Sequence, residues 1–267
     1  MKGRADGVKS AALRAASIAL LLLLWSVASR LVNDPDVLPG PLEICRIIAT
    51  DLATVGPEGH SAYFDIGITL ARIMIAFVAS MLAGIGIGLA MALSAALERV
   101  LIAVIPLLLT MPSILMVFLA VMWFGFSEVG GLVAVMAVVT PYVAVNIFQG
   151  TKATDKSLIE MGVTFKARTP LLIRKVYLPQ LMPYIFSAFR YAFGMTWKVV
   201  ALAETFGLKY GIGYMFFFWF GQFNMTQVLA WIVIFVVLML ILEHGVFARL
   251  ERRAFAWRDA RRRPSLA

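Results

Sequence analysis

Cysteine, histidine and acidic side chains are scarce in this chain of 267 residues. The lone cysteine, Cys45, excludes an internal disulfide and any site built from several thiolates. The histidines, His60 and His244, lie far apart, so no His pair suggests a metal-ligand set. No Ser/His/Asp set and no carboxylate pair at useful spacing supports a catalytic centre, which argues against a membrane-embedded enzyme. The pattern GxxxxGK[ST] is absent, so the chain supplies no nucleotide site of that kind.

What is present is apolar. Hydrophobic residues make up 61% of the chain, and the mean hydropathy is +0.89. They come in six blocks, most near the roughly 20 residues that a bilayer core requires: 15–32, 66–94, 101–123, 131–148, 184–206 and 228–247. The expected fold is an all-α integral membrane protein with six transmembrane helices. Apart from Arg30 near the end of the first block, Arg72, Arg190, Lys198, Glu204 and Glu243 are the charges inside or at the ends of these blocks. The run SIALLLLLWSVAS in the first block also resembles a secretory signal, but it is long for one and Arg30 lies close after it, so the block is read as an uncleaved span.

A net charge of +9 raises the possibility of nucleic-acid binding, but its distribution points to a membrane. With both ends cytoplasmic, nearly all Lys and Arg outside the spans fall on the inner side, and only Arg30, Arg46 and Lys209 fall outside. That asymmetry follows the positive-inside rule. The chain then divides into a cytoplasmic segment 1–14, a transmembrane domain 15–247 and a basic cytoplasmic tail 248–267.

Between the first two spans, Pro35, Pro39 and Pro41 precede a surface-helix pattern over 42–55. Ser80, Gly84, Gly88 and Ala92 recur every fourth residue, a ladder suited to close helix packing or to a dimer seam. Pro106, Pro112 and Pro141 are candidate kinks. Trp123, Trp219 and Trp231 fall where an aromatic belt is expected. The segment GLKYGIG lacks the full phosphate-loop spacing and reads as a flexible turn. The following YMFFFWFGQF is too apolar for a free loop.

The long basic loop 150–183 lies between the fourth and fifth spans. Thr154 or Asp155 caps a short helix on which Leu158, Ile159, Gly162 and Val163 form one apolar stripe. Thr169-Pro170 starts a second helix, and Leu178-Pro179 ends or bends it. An interfacial hairpin lying on membrane lipid is the plainer reading.

This arrangement resembles the cytoplasmic loop of the permeases of binding-protein-dependent ABC importers. Their motif reads Glu-Ala-Ala, three residues, Gly, nine residues, Ile, one residue, Leu-Pro. Here Glu160-Met161-Gly162 stands at Glu-Ala-Ala, Lys166 at Gly, Val176 at Ile, and Leu178-Pro179 matches. Lys166 is the sharpest departure, since it replaces the residue best suited to a turn; the break is expected to hold Lys166 in a strained conformation or to relax over Ala167 and Arg168. LPGPLE, TLARIMIAF, MPSILMVFLAVMWFG, LPQLMPYIFSAFRYAFG, WKVVALAETFG and YGIGYM, in that order, resemble the nitrate/sulfonate/taurine-type branch.

The resemblance implies an inner-membrane permease, paired as a homodimer, joined to cytoplasmic ABC ATPase subunits and served by a periplasmic solute-binding protein. The chain itself would bind no cofactor; ATP and Mg would be used by the partner ATPase. Leu158, Ile159, Glu160, Met161, Gly162, Val163 and Lys166 would form the coupling helix and its turn. Arg190 and Lys198, eight residues apart in the fifth span, share a helix face, and Lys198 is too deep to snorkel easily. Lys198 either favours an anionic solute in the pathway or completes an ion pair within the bundle. Lys198, Glu204 and Arg190 are the pathway candidates, although Glu204 points elsewhere on the helix and is rather expected to pair with a neighbouring span or subunit. The competing class is a secondary transporter working without an ATPase; against it stand the few acidic groups in the spans and the lack of a convincing inverted repeat.

Overall fold

The computed structural model describes residues 2–54 and 59–247, so the tail 248–267 lies outside the described residues. The described chain is helical, with no strand. Contacts divide it into two compact units, one running up to Asp65 and resuming over Met215–Val237, the other comprising Ile66–Tyr214 and the chain from Leu238 onward.

In the first unit, α1 (Lys2–Val32) is one helix, so residues 2–14 continue directly into the first apolar block. The pattern over 42–55 forms α2 (Pro41–Ala53), with Pro41 in the first turn, where its missing N–H costs nothing. The start of a later helix is tied to this region: Gln227 donates to Asp51 at 3.2 Å, and the Thr226 hydroxyl donates to the Pro35 carbonyl at 3.3 Å. Burial pushes the Asp51 carboxyl above the usual carboxylate range, against the smaller lowering effect of the Gln227 bond. Trp231 is buried here, so it does not belong to an exposed aromatic belt, whereas Trp123, in the other unit, is 74% exposed.

The second unit carries most of α3 (Ala62–Leu93), then α4 (Ala95–Thr110), α5 (Ser113–Phe124), α6 (Glu128–Lys152), α7 (Lys156–Thr164), α8 (Thr169–Leu172) and α9 (Leu178–Gly207). Its core is the packing of α6 on α9, flanked by α5 and α4. The small-residue ladder of α3 faces α6. A Cβ at Gly84 would lie 2.5 Å from Val143 Cβ, and one at Gly88 would lie 2.6 Å from the Ala144 carbonyl oxygen, so only glycine permits this approach. The ladder is therefore an intramolecular packing face.

Among the described residues, three helices are long and apolar enough to cross a membrane: Ala62–Leu93, Glu128–Lys152 and Met225–Gly245. The pair α4 and α5 makes a fourth if counted together, but it bends by 103°. The third apolar block is thus not one straight span. The cause is Pro112, which has no N–H to donate and forces Met111 into extended backbone (φ −68°, ψ 131°). Pro106 and Pro141 remain inside their helices. Ala16–Val32 is apolar but shorter, and the 30-residue α9 is diluted by Gln180, Arg190 and Lys198. The short helix α10 (Ile212–Gly221) and then α11 (Met225–Ile241) complete the element order, and a π-helical turn continues α11 to form the third of these long helices.

Candidate functional site

Three features of the second unit bear on function. The first is the basic loop. Asp155 caps α7, its Oδ1 accepting from the Ser157 N–H at 2.9 Å and the Ser157 hydroxyl at 2.7 Å. Those bonds hold the exposed Asp155 carboxyl below its ordinary pKa. Thr154 instead donates back to the Gly150 carbonyl. The Asp155 N–H donates to the Gln180 side chain at 2.8 Å, tying the start of the loop to α9. Glu160 is exposed, as are Leu158, Met161 and, most of all, Phe165 at 79%. The side chains of Ile159, Gly162 and Val163, backbone members of α7, lie outside those described.

The turn after α7 does not relax over Ala167 and Arg168. Lys166 itself takes the left-handed conformation, with φ +52°. A side chain there costs about 1 kcal/mol or more relative to glycine. Lys166→Gly is therefore expected to raise stability by about 0.5–1 kcal/mol, the relief being partly offset by the freer unfolded chain. Thermal unfolding of the detergent-solubilised protein checks this; a lower melting temperature would show that Lys166 is held by contacts stronger than the strain.

Leu178-Pro179 does not end the second loop helix. The segment Ile173–Tyr177 is π-helical, and the Leu178 N–H reaches back to the Ile173 carbonyl. The wider turn absorbs the proline, which cannot donate, and the helix continues as α9.

The second feature is a polar cluster at the far end of α9. The Glu204 side chain is completely buried. Its carboxylate accepts from Arg72 Nη1 at 2.8 Å, from the Thr69 hydroxyl at 2.9 Å and from the Gly213 N–H at 3.0 Å. The Thr69 oxygen also accepts from the Ile212 N–H at 3.0 Å, and Arg72 donates to the Tyr210 carbonyl. Arg72 turns its remaining donors on Glu128, with Nε to Oε2 at 2.8 Å and Nη2 to Oε1. Glu204 thus finds its partner on a neighbouring helix of the same chain. Its ligands also pin the segment expected to be a flexible turn. Gly211, at φ +114°, lies so close that a Cβ there would collide with the Glu204 carboxylate. Sequence reasoning placed Arg72 among the intramembrane charges but missed its role, and missed Thr69 and Glu128. The available signal was Thr69 and Arg72 one helical turn apart in an apolar block, with glycines at 211 and 213.

The third feature is the exposed face of α9. Ala188, Ala192, Val199 and Val200 are buried against the bundle, while Ser187, Arg190, Tyr191 and Lys198 are exposed. Lys198 Nζ lies 5.4 Å from the Trp197 ring centroid. Tyr191 stacks on Tyr142 of α6. Arg190 and Lys198 thus share a face, and Glu204 lies on the buried side.

No cluster of three or more metal-ligating residues occurs among the described residues. The family described as "Binding-protein-dependent transport system inner membrane component" matches residues 80–255. The taurine transport system permease protein of Escherichia coli K12 is 29% identical over 242 residues, covering 89% of this chain and 86% of that protein. The formylaminopyrimidine transport permease protein of Halalkalibacterium halodurans is 29% identical over 90% of this chain and 93% of its own length. A putative aliphatic sulfonates transport permease protein of Bacillus subtilis is 29% identical over 91% of this chain and 86% of its own length. Among solved structures, an inward-facing MetNI methionine ABC transporter chain superposes with TM-score 0.62 at 17% identity, covering 72% of this chain and 95% of that one. A chain of an amino acid ABC transporter superposes with TM-score 0.59 at 21% identity, covering 72% and 92%. The fold is that of ABC transporter permeases, and the chain belongs to the family of inner-membrane components of binding-protein-dependent transport systems, as an ABC importer permease.

Proposed function

We propose that this chain forms the pathway for a small anionic solute, of the sulfonate, taurine or nitrate kind, in an importer driven by separate ATPase subunits that use ATP and Mg. Two copies would enclose the pathway, each crossing the inner membrane six times with both termini in the cytoplasm. A periplasmic binding protein would deliver the solute, and α7 with its turn at Lys166 would contact the ATPase. The relatives named for taurine and aliphatic sulfonates support the solute class. Exposed Leu158, Met161 and Phe165 around Glu160 support the contact, since large apolar side chains left exposed on a loop mark an interaction surface.

The observation that carries the pathway reading is the exposed face of α9. A charge in a membrane span is costly and faces a wet cavity or a partner. Lys198 and Arg190 lie on one face, turned away from the bundle core of their own chain. Facing a second copy, that stripe would present positive charge to the solute.

Lys198→Met and Lys198→Arg test this in proteoliposomes containing the cognate ATPase and binding protein, with taurine, an aliphatic sulfonate and nitrate as probes. A charge-assisted contact is worth roughly 1.5–3 kcal/mol, so uptake should fall about ten- to hundredfold in the methionine variant and recover in the arginine variant, at equal complex yield. Undiminished uptake by Lys198→Met would remove Lys198 from the pathway.

A further inference from the structure

Lys198 is a cation in a membrane span with no acid to hold it. Among the described residues it forms no ion pair, and its ammonium lies only over the ring of its chain neighbour Trp197. The exposed face of α9 offers no carboxylate, since Glu204, the one acid of that helix, is completely buried. A charge in a span needs a partner or water. The same face of a second copy cannot be that partner. Across a twofold axis it would set Lys198 and Arg190 against their own counterparts, and like charges do not close into a dry seam.

Gly194 stands on the same face, one turn before Lys198. A Cβ at Gly84 or Gly88 would collide with α6, but a Cβ at Gly194 would meet no atom within 4 Å. Packing within the chain therefore does not require this glycine, and a glycine inside a helix weakens it. What the missing side chain does provide is room. On the other side of that room is Tyr191, exposed and about 10 Å from Lys198 along the helix axis. Its ring is stacked on Tyr142 of α6 with centroids 3.4 Å apart, so a neighbouring helix holds it in place. A cation, a gap and a fixed aromatic ring thus follow one another along one helix face.

We propose that Lys198, Gly194 and Tyr191 form a seat for an organic anion with a compact charged head and a short tail, an alkanesulfonate rather than a bare inorganic anion. The head sits at the Lys198 ammonium. The tail crosses Gly194, where any side chain would stand in its way, and ends against the Tyr191 ring. A bare anion such as nitrate would use Lys198 alone and would need neither the gap nor the ring. The seat rests on the pathway function proposed above and narrows its solute class. Whether a sulfonate reaches Gly194 can be tested with neither ATP nor uptake, so the two readings can fail separately.

The test has two arms. The first is thiol labelling of Gly194→Cys on a Cys45→Ser background, in the assembled transporter held in nanodiscs, which leave both faces open to reagent. The probes are 2-sulfonatoethyl and 2-(trimethylammonio)ethyl methanethiosulfonate, which share a reactive group and differ in the charge of the tail. Relative to their rates on a free thiol, the sulfonate should be favoured, and Lys198→Met should cut that preference by about fivefold or more. No labelling by either reagent would place Gly194 against lipid or a second copy, and a preference indifferent to Lys198→Met would remove the ammonium; either result overturns the seat. The second arm compares uptake of butanesulfonate and nitrate by the parent and by Gly194→Val, with the cognate ATPase and binding protein. The binding protein is the same in both, so its own preference cancels from the variant-to-parent ratio. Butanesulfonate uptake should fall about tenfold, and nitrate uptake, where the parent shows any, should change far less. Equal losses for both solutes, or loss of assembly in Gly194→Val, would overturn the proposal. A parent that takes up no probe would defeat the solute class proposed above, while the labelling arm would still decide whether a sulfonate reaches Gly194.

Discussion

Arg72→Met is expected to destabilise the protein by about 3–5 kcal/mol, the cost of leaving a buried carboxylate without its counter-charge. The expectation follows from the geometry of Glu204. Its side chain has no exposure, and Thr69 and the Gly213 N–H, its other polar partners, carry no charge. Removing the arginine also orphans the Tyr210 carbonyl and frees Glu128. The double change Arg72→Met with Glu204→Leu should recover much of the loss, because an apolar pair of similar volume needs no counter-charge. Thermal unfolding of the purified protein in detergent, with yield from membranes as a second readout, measures both. The two single changes and the double change form a cycle whose coupling should exceed about 2 kcal/mol. A loss below about 1 kcal/mol in Arg72→Met would mean that the cluster opens to water at little cost.

The cluster also marks how far the sequence was legible. The six apolar blocks, the surface helix α2 and the capped helix α7 can be read from hydropathy and capping residues, because those signals are local. Glu204 was expected to pair across helices, and it does. Arg72 could not be named as its partner, because the pairing joins residues more than 130 positions apart, and only the packing of α3 on α9 brings them together. The turn at 208–213 looked flexible because glycines favour turns. Its order comes from Glu204, Thr69 and Arg72, none of which lies within the turn.

Proline was legible in part. Three prolines were candidate kinks, but only Pro112 produces a break, with Met111 extended before it. Pro106 and Pro141 are accommodated within longer helices, and a π-helical turn absorbs Pro179. Whether a helix tolerates a proline depends on how its neighbours hold the turn before it, and sequence alone does not contain those neighbours. Lys166 was the reverse case. The motif spacing named the position of the turn, and the backbone kept the turn there despite the side chain.

The central claim is that this permease is driven through α7 by a separate ATPase. The most direct measurement is ATP-dependent uptake of labelled taurine, an aliphatic sulfonate and nitrate into vesicles carrying this chain, with and without the cognate ATPase and binding protein, compared between the parent and Glu160→Lys. Glu160 is the matched acid of the loop motif and is exposed on α7. Reversing its charge would place a cation where the ATPase surface is expected to accept an anion, a mismatch worth several kcal/mol. The account predicts uptake of at least one probe by the parent that requires ATP, ATPase and binding protein together. It predicts a loss of more than about tenfold in both uptake and ATPase association for Glu160→Lys, with the level of the chain in the membrane unchanged. Uptake by the parent without the ATPase, or an intact and fully active complex with Glu160→Lys, would contradict it.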